Sequence, residues 1–175
     1  MLSPETVFTY PGAALQQQRT DAEPTADEAS VELWLKTGVT GGSVATYGAI
    51  PATKARTASR ELYLDATGKL VFAVRPDDGD VPESVTVRTD RSVADDRWHH
   101  VVAVHAATGV QLYLDGNLAG ANRRSPTVTD RGQWWSTDGA PSDPMAKDSM
   151  TAELSAVDRP LTRADVKQRY QAGHR

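Results

Sequence analysis

Apolar and polar residues alternate with a period of two through most of this chain. The stretch SVELWLKT (30–37) sets Val31, Leu33 and Leu35 against Glu32, Trp34 and Lys36, the pattern of a strand with one buried face. SVATYGAI (43–50) follows a Gly41-Gly42 turn. RELYLDATGKLVFAVR (60–75) reads as a hairpin, with Leu62 and Leu64 on one face and Gly68 placed where the chain must reverse. SVTVRT (84–89) alternates again after the loop PDDGDVPE (76–83). WHHVVAVHA (98–106) and VQLYLDG (110–116) flank a Thr108-Gly109 turn, and Asp115-Gly116 turns the chain into NLAGAN (117–122). GQWWST (132–137) and TAELSAV (151–157) complete the strands, separated by the loop DGAPSDPMAKDS (138–149).

Only the end of the chain is helical in pattern. Thr162 with Asp165 three residues on makes a capping-box variant, Val166 and Tyr170 share a face, and Gly173 suits a C-cap. So many short strands with regular turns and a single short helix predict an all-β fold, a two-sheet antiparallel β-sandwich with the helix packed on it. The 175 residues suit one domain over 1–175, with 1–28 as an N-terminal arm and first strand.

Composition narrows the function. Charged residues are 24% of the chain and the formal net charge is −4, with Lys and Arg scattered, so no basic face for nucleic acid is expected. Arg123-Arg124 is too small a patch to alter that. The chain has no cysteine, which excludes disulfides, thiolate metal sites and a cysteine nucleophile. No apolar run reaches membrane-span length, and MLSPETVFTYPGAALQQQ lacks the regions of a signal peptide.

The stretch DDRWHHVVAVHAATGVQLYLDG (95–116) holds three of the four histidines. Alternation puts Trp98, His100, Val102 and Val104 on one face and His99, Val101 and Ala103 on the other, so the adjacent histidines cannot share one metal from that strand. They read as packed sheet residues. Trp98, if it faces the core, should cost roughly 3–5 kcal/mol when cut to alanine.

In order, SVELWLKT, RELYLDATGKLVFAV, DDRWHHVVAVH, GVQLYLDGNLAG and ELSAVDRPLTRADVKQRYQAG resemble the laminin-G-like, concanavalin A-like jelly-roll family from about residue 30 onward. The resemblance implies a jelly-roll sandwich and a non-catalytic recognition or adhesion module. Such a module binds carbohydrate or a protein surface as an accessory part of an extracellular or cell-surface protein. Sandwiches of this family also decorate virus particles, which leaves a structural role in a virion or other assembly open; residues 1–18 would then dock on a neighbouring subunit. Family members often carry one structural calcium ion. The candidates here are Asp77, Asp78 and Asp80, although an acidic surface turn is the plainer reading. Two departures bear on that ion: Ala152-Glu153 stands where the family usually has Asp-Glu, and TYPGAALQQQ replaces its usual Asp-Gly opening.

Some members of this fold are glycoside hydrolases, whose two-carboxylate chemistry needs acid and nucleophile to converge. The E-x-D-x-x-E strand pattern and the G-x-S-x-G motif are absent, and Glu61, Asp65 and Glu153 stand apart. No catalytic residue is expected. The better candidates for ligand binding are Trp134 and Trp135, with Asp130 and Asp138 as polar partners; Arg131 and Asp143 flank the same strand, and Tyr47 is a weaker aromatic candidate. Tryptophan stacks on the apolar face of a pyranose while carboxylates take its hydroxyls. The plainer alternative is that both tryptophans are packed inside.

Overall fold

A computed structural model describes residues 28–47, 59–76, 84–128, 135–136, 149–157 and 159–173. The alternating segments form strands β1 (Ala29–Lys36), β2 (Gly42–Tyr47), β3 (Arg60–Leu64), β4 (Lys69–Val74) and β5 (Val85–Ser92). Strands β6 (Trp98–Ala106), β7 (Gly109–Leu114), β8 (Asn117–Asn122), β9 (Trp135–Ser136) and β10 (Met150–Val157) follow, then helix α1 (Arg163–Gly173). They make two five-stranded sheets in the orders β10-β1-β6-β7-β8 and β5-β4-β3-β2-β9, with antiparallel pairing throughout the ladders. This is the two-sheet antiparallel sandwich that the alternation predicts and the jelly roll that the resemblance implies.

The inward residues are those of the period-two pattern. Val31, Leu33 and Leu35 of β1 and Val101 and Ala103 of β6 meet Leu62, Leu64, Leu70, Phe72 and Val74 of the other sheet in one buried core. A smaller cluster lies on the opposite face of β6, where Val102, Val104 and Tyr113 pack under Leu161 and Val166. The helix thus covers the odd-looking double pattern of WHHVVAVHA: both faces of β6 are buried because one meets a sheet and the other meets α1.

The turns follow backbone chemistry. Asp115 and Gly116 both have positive φ (51° and 74°), the requirement of a two-residue type I′ hairpin turn. In the first hairpin the Asp65 carboxylate accepts from the backbone N–H of Thr67 and Lys69 and from the Thr67 hydroxyl, which closes that turn. The helix start is as expected. Thr162 Oγ1 accepts the Asp165 N–H at 3.2 Å, and the Asp165 carboxylate accepts from the Thr162 N–H and hydroxyl at 2.9 Å each. Those bonds, with one from Arg159, bring the Asp165 carboxyl down to about 2.

Three expectations change. Gly173 is not a left-handed C-cap, being absent from the positive-φ glycines; it is the last helical residue and lies where a Cβ would come within 2.7 Å of Trp34 Cζ2. Close packing of helix on tryptophan, not turn geometry, is what requires glycine there. The GQWWST strand is only two residues long in the described structure, Trp135 and Ser136. Trp98 is not a core residue: it is 44% exposed, because α1 covers Val102 and Val104 but does not extend over the start of β6. Trp98→Ala is therefore expected to cost about 1 kcal/mol or less in urea unfolding, the range of a surface change. A loss of roughly 3–5 kcal/mol would mean that the ring is packed after all.

Candidate ligand-binding site

The sites of interest lie where polar residues occupy inward positions. On β3 the alternation that buries Leu62 and Leu64 also buries Arg60, and on β6 the alternation of Val101 and Ala103 continues into His105. Both belong to one end of the sandwich, where β2 and β4 stop and β3 and β5 begin. There the strand registers place Trp135, Tyr47, Arg60, Val74 and Val85 in one row across the sheet. The Trp135 and Tyr47 ring centroids are 5.5 Å apart and tilted, and the Arg60 guanidinium lies over the Tyr47 ring at 5.0 Å. Trp135 is half-buried and packs against the core, whereas Tyr47 is buried.

A hydrogen-bonded chain crosses from this row to the other sheet. Arg60 Nε donates to His105 Nδ1 at 3.2 Å, His105 Nε2 faces Ser125 Oγ at 3.2 Å, and that hydroxyl donates to the Ala106 carbonyl at 2.7 Å. Because a guanidinium can only donate, Nδ1 must be the acceptor and the ring proton sits on Nε2. The direction of the chain matters. A serine nucleophile needs a histidine lone pair facing it, and here an N–H faces the hydroxyl, so this Ser–His contact is a structural link.

Among the described residues, Glu61, Asp65 and Glu153 do not come together as a hydrolytic pair either. Glu61 is held by Arg75 Nη1 at 2.9 Å, Asp65 is consumed by its turn, and Glu153 is exposed at a bulge of β10 with φ of 53°. A glycosidase acid is a carboxyl raised toward neutrality. Among the described carboxyls that are shifted, Glu32, Asp65, Asp95, Asp115 and Asp165, every one is held below its ordinary value.

Of the residues expected from sequence, Tyr47 and Trp135 are brought together as register partners. Tyr47 is the last residue of β2, which lies between β3 and β9, and its burial makes it a support for Trp135. Trp134, Asp130 and Asp138 lie outside the described residues, as do the calcium candidates Asp77, Asp78 and Asp80. Among the described residues, no three His, Asp or Glu side chains are grouped to hold a metal ion. The sequence reading missed Arg60 and His105. Their signal was present, namely a charged residue two positions before the core residue Leu62 and a histidine two positions after the core residue Ala103.

The other two histidines of β6 build supports, each on the face that alternation predicts. At the far end of β6, His99 sits between Asp115 (Nδ1 to Oδ2, 2.9 Å) and Asp95 (Nε2 to Oδ1, 3.0 Å). The Asp115 bond is the main reason that the imidazole is raised above its ordinary 6.5, against the opposing effect of burial. His100 points the other way, under the helix, with Nε2 2.6 Å from Glu32 Oε1.

Two antiparallel five-stranded sheets packed face to face, with one short helix on the outside, define the concanavalin A-like class of sandwich. The chain belongs to the concanavalin A-like lectin/glucanases superfamily, whose Laminin_G_3 family model matches residues 11–167. No functionally curated protein matches it by sequence. Its fold is similar to that of the receptor binding domain of botulinum neurotoxin type G (TM-score 0.65, 10% identity, covering 95% of this chain and 50% of that one). It is also similar to the binding domain of Paraclostridial Mosquitocidal Protein 1 (TM-score 0.64, 9% identity, 86% and 38%). A third similar structure is the botulinum neurotoxin serotype D ligand binding domain in complex with N-acetylneuraminic acid (TM-score 0.64, 11% identity, 88% and 38%). The chain spans half or less of the length of each.

Proposed function

We propose that this chain is a non-catalytic recognition module, one domain over 1–175, that binds carbohydrate on an extracellular or cell-surface protein. The observation that carries the reading is the row Trp135–Tyr47–Arg60, an incompletely buried indole backed by a buried aromatic and a buried cation at one end of the sandwich. A ring held from behind by Tyr47 loses little freedom on stacking against a sugar, and this pre-organisation favours binding. Trp134 adjoins it in sequence as a second stacking ring, and Asp130 and Asp138 supply the polar contacts in this reading. The sialic acid bound by the serotype D domain is consistent with a sugar ligand for such a fold. No helix among the described residues is long and apolar enough to cross a membrane.

The test is a glycan array on the purified chain, with calcium and with chelator, followed by titration of the best hit. Trp135→Ala is expected to weaken that hit roughly tenfold or more, the worth of one aromatic stack, and Trp98→Ala to leave it unchanged. A hit indifferent to Trp135 moves the site elsewhere. A blank array favours a second reading, adhesion to a protein surface. The observation behind that reading is a separate row of register neighbours across β10, β1 and β6, in which the exposed Met150 and Trp98 flank the half-buried Lys36.

A further inference from the structure

We propose that the row Met150–Lys36–Trp98 is the contact surface of a two-fold dimer, its occupant a second copy of this chain. The proposal rests on the row named in the adhesion reading above, gives that row its partner, and stands whatever Trp135 binds. The row is uncovered because of where α1 stops. Alternation turns Glu32, Trp34 and Lys36 of β1 outward. The helix runs along this face from Val104 and Val102 to Trp34, where a Cβ on its last residue, Gly173, would lie 2.7 Å from Cζ2 of the indole. The next row, in which Lys36 has Met150 on one side and Trp98 on the other, lies past that end.

Trp98 and Met150 are 44% and 45% exposed, and they are two of the three large apolar side chains exposed among the described residues. A single exposed apolar residue is ordinary on a protein surface. Two of them in one register row, on the part of a sheet face that the helix leaves bare, make a patch. Tryptophan and methionine are also the residue types enriched where protein surfaces meet.

Two charges make this surface complementary to itself. Neither Lys36, in the middle of the row, nor Asp96 makes an ion pair with a described residue. The Asp96 carboxylate takes the place of a Gly38 side chain, 2.6 Å from where its Cβ would be. It therefore sits at the end of β1, two residues past Lys36 in one strand and two before Trp98 in the chain. The neighbouring Asp95 is engaged elsewhere, with His99 Nε2 at 3.0 Å and the Arg97 N–H at 3.0 Å. A partner of one charge sign would meet either Lys36 or Asp96 with the wrong sign. A second copy, turned by a two-fold axis, sets each Lys36 against the other Asp96 and covers Trp98 and Met150 between them. The surface is small, so the dimer is weak and forms at about 10–100 µM.

Sedimentation velocity on the intact chain, from about 2 µM to about 1 mM, tests this. The wild type is expected to pass from monomer to dimer across that range. Trp98→Ala should weaken the association about tenfold or more, the worth of one central aromatic. Lys36→Glu and Asp96→Lys should each abolish it, because each sets like charges against one another across the axis. Mixed in equal amounts, the two charge variants should recover the dimer, since every charge then meets its opposite in the other chain. Misfolding of either variant could not produce that recovery, and Trp98→Ala, a change at an exposed side chain, covers the case in which a charge variant folds poorly. A wild type that stays monomeric at about 1 mM, a dimer indifferent to Trp98→Ala, or folded charge variants that do not recombine overturns the proposal. Sugar binding by Trp135 is decided separately, by the array.

Discussion

Replacing Asp115 by alanine is expected to destabilise the fold by about 3 kcal/mol near pH 6, and replacing it by asparagine to remove most of the pH dependence of stability above pH 6. Three roles meet in this residue. It occupies the left-handed region at φ 51°, where alanine costs roughly 1 kcal/mol and asparagine much less. Its Oδ1 accepts the His100 N–H at 3.0 Å, and its Oδ2 faces His99 Nδ1 at 2.9 Å. A charge-assisted bond of that kind is worth about 1.5–3 kcal/mol. His99 is raised in the folded state, so its contribution is complete below its ordinary 6.5 and is lost as pH rises through the folded value. Burial works to raise the Asp115 and Asp95 carboxyls, but the His99 bonds prevail and both are depressed. Their contribution is therefore present above 3.8 and lost as pH falls. The Asp95–His99–Asp115 clamp acts between those limits. Urea unfolding of wild type, Asp115→Asn and Asp115→Ala from pH 4 to 8 measures it. Wild type and Asp115→Asn with the same slope above pH 6 would show that His99 is not charged by this clamp.

Much of this architecture is legible in the chain because a strand with one buried face must alternate. The pattern in SVELWLKT locates β1, and the Asp-Gly and Thr-Gly pairs locate the turns because few other residues accept positive φ. The exposure of Trp98 was not legible. Alternation puts it on the face of His100 and Val102, yet how far along that face the helix reaches is a tertiary matter. Gly173 misled for a similar reason: a glycine after an amphipathic run reads as a cap, and only the packed helix reveals Trp34 beneath it. At the candidate site, the aromatic residues were visible as types and Arg60 and His105 as interruptions of apolar alternation. Their meeting joins residues 45 positions apart and depends on which strands face each other across the sandwich.

Gly109→Ala is expected to be among the most damaging single-methyl changes in the chain, costing about 3–5 kcal/mol, where Gly41→Ala costs about 1 kcal/mol. Both glycines have positive φ, 128° and 78°, so both penalise a side chain through the backbone alone. Their surroundings differ. A Cβ at Gly41 meets nothing within 4 Å, whereas at Gly109 it would lie 2.1 Å from the Asn122 carbonyl oxygen and 2.8 Å from Arg123 Cα. Those obstacles are backbone atoms and cannot rotate away, so the β6–β7 turn and the end of β8 must separate. The strand end that moves leads directly into Ser125, the partner of His105 Nε2, which in turn supports the Arg60–Tyr47–Trp135 row. Gly109→Ala should therefore also lower affinity for whatever Trp135 binds, even in the fraction that stays folded, and Gly41→Ala should not. Urea unfolding of the two variants, paired with titration of the ligand from the array, separates the two effects. Equal stability losses would mean that the turn is free to move away from residues 122–123. A Gly109 variant that is destabilised yet binds normally would mean that the Arg60–His105–Ser125 chain does not support the ligand site.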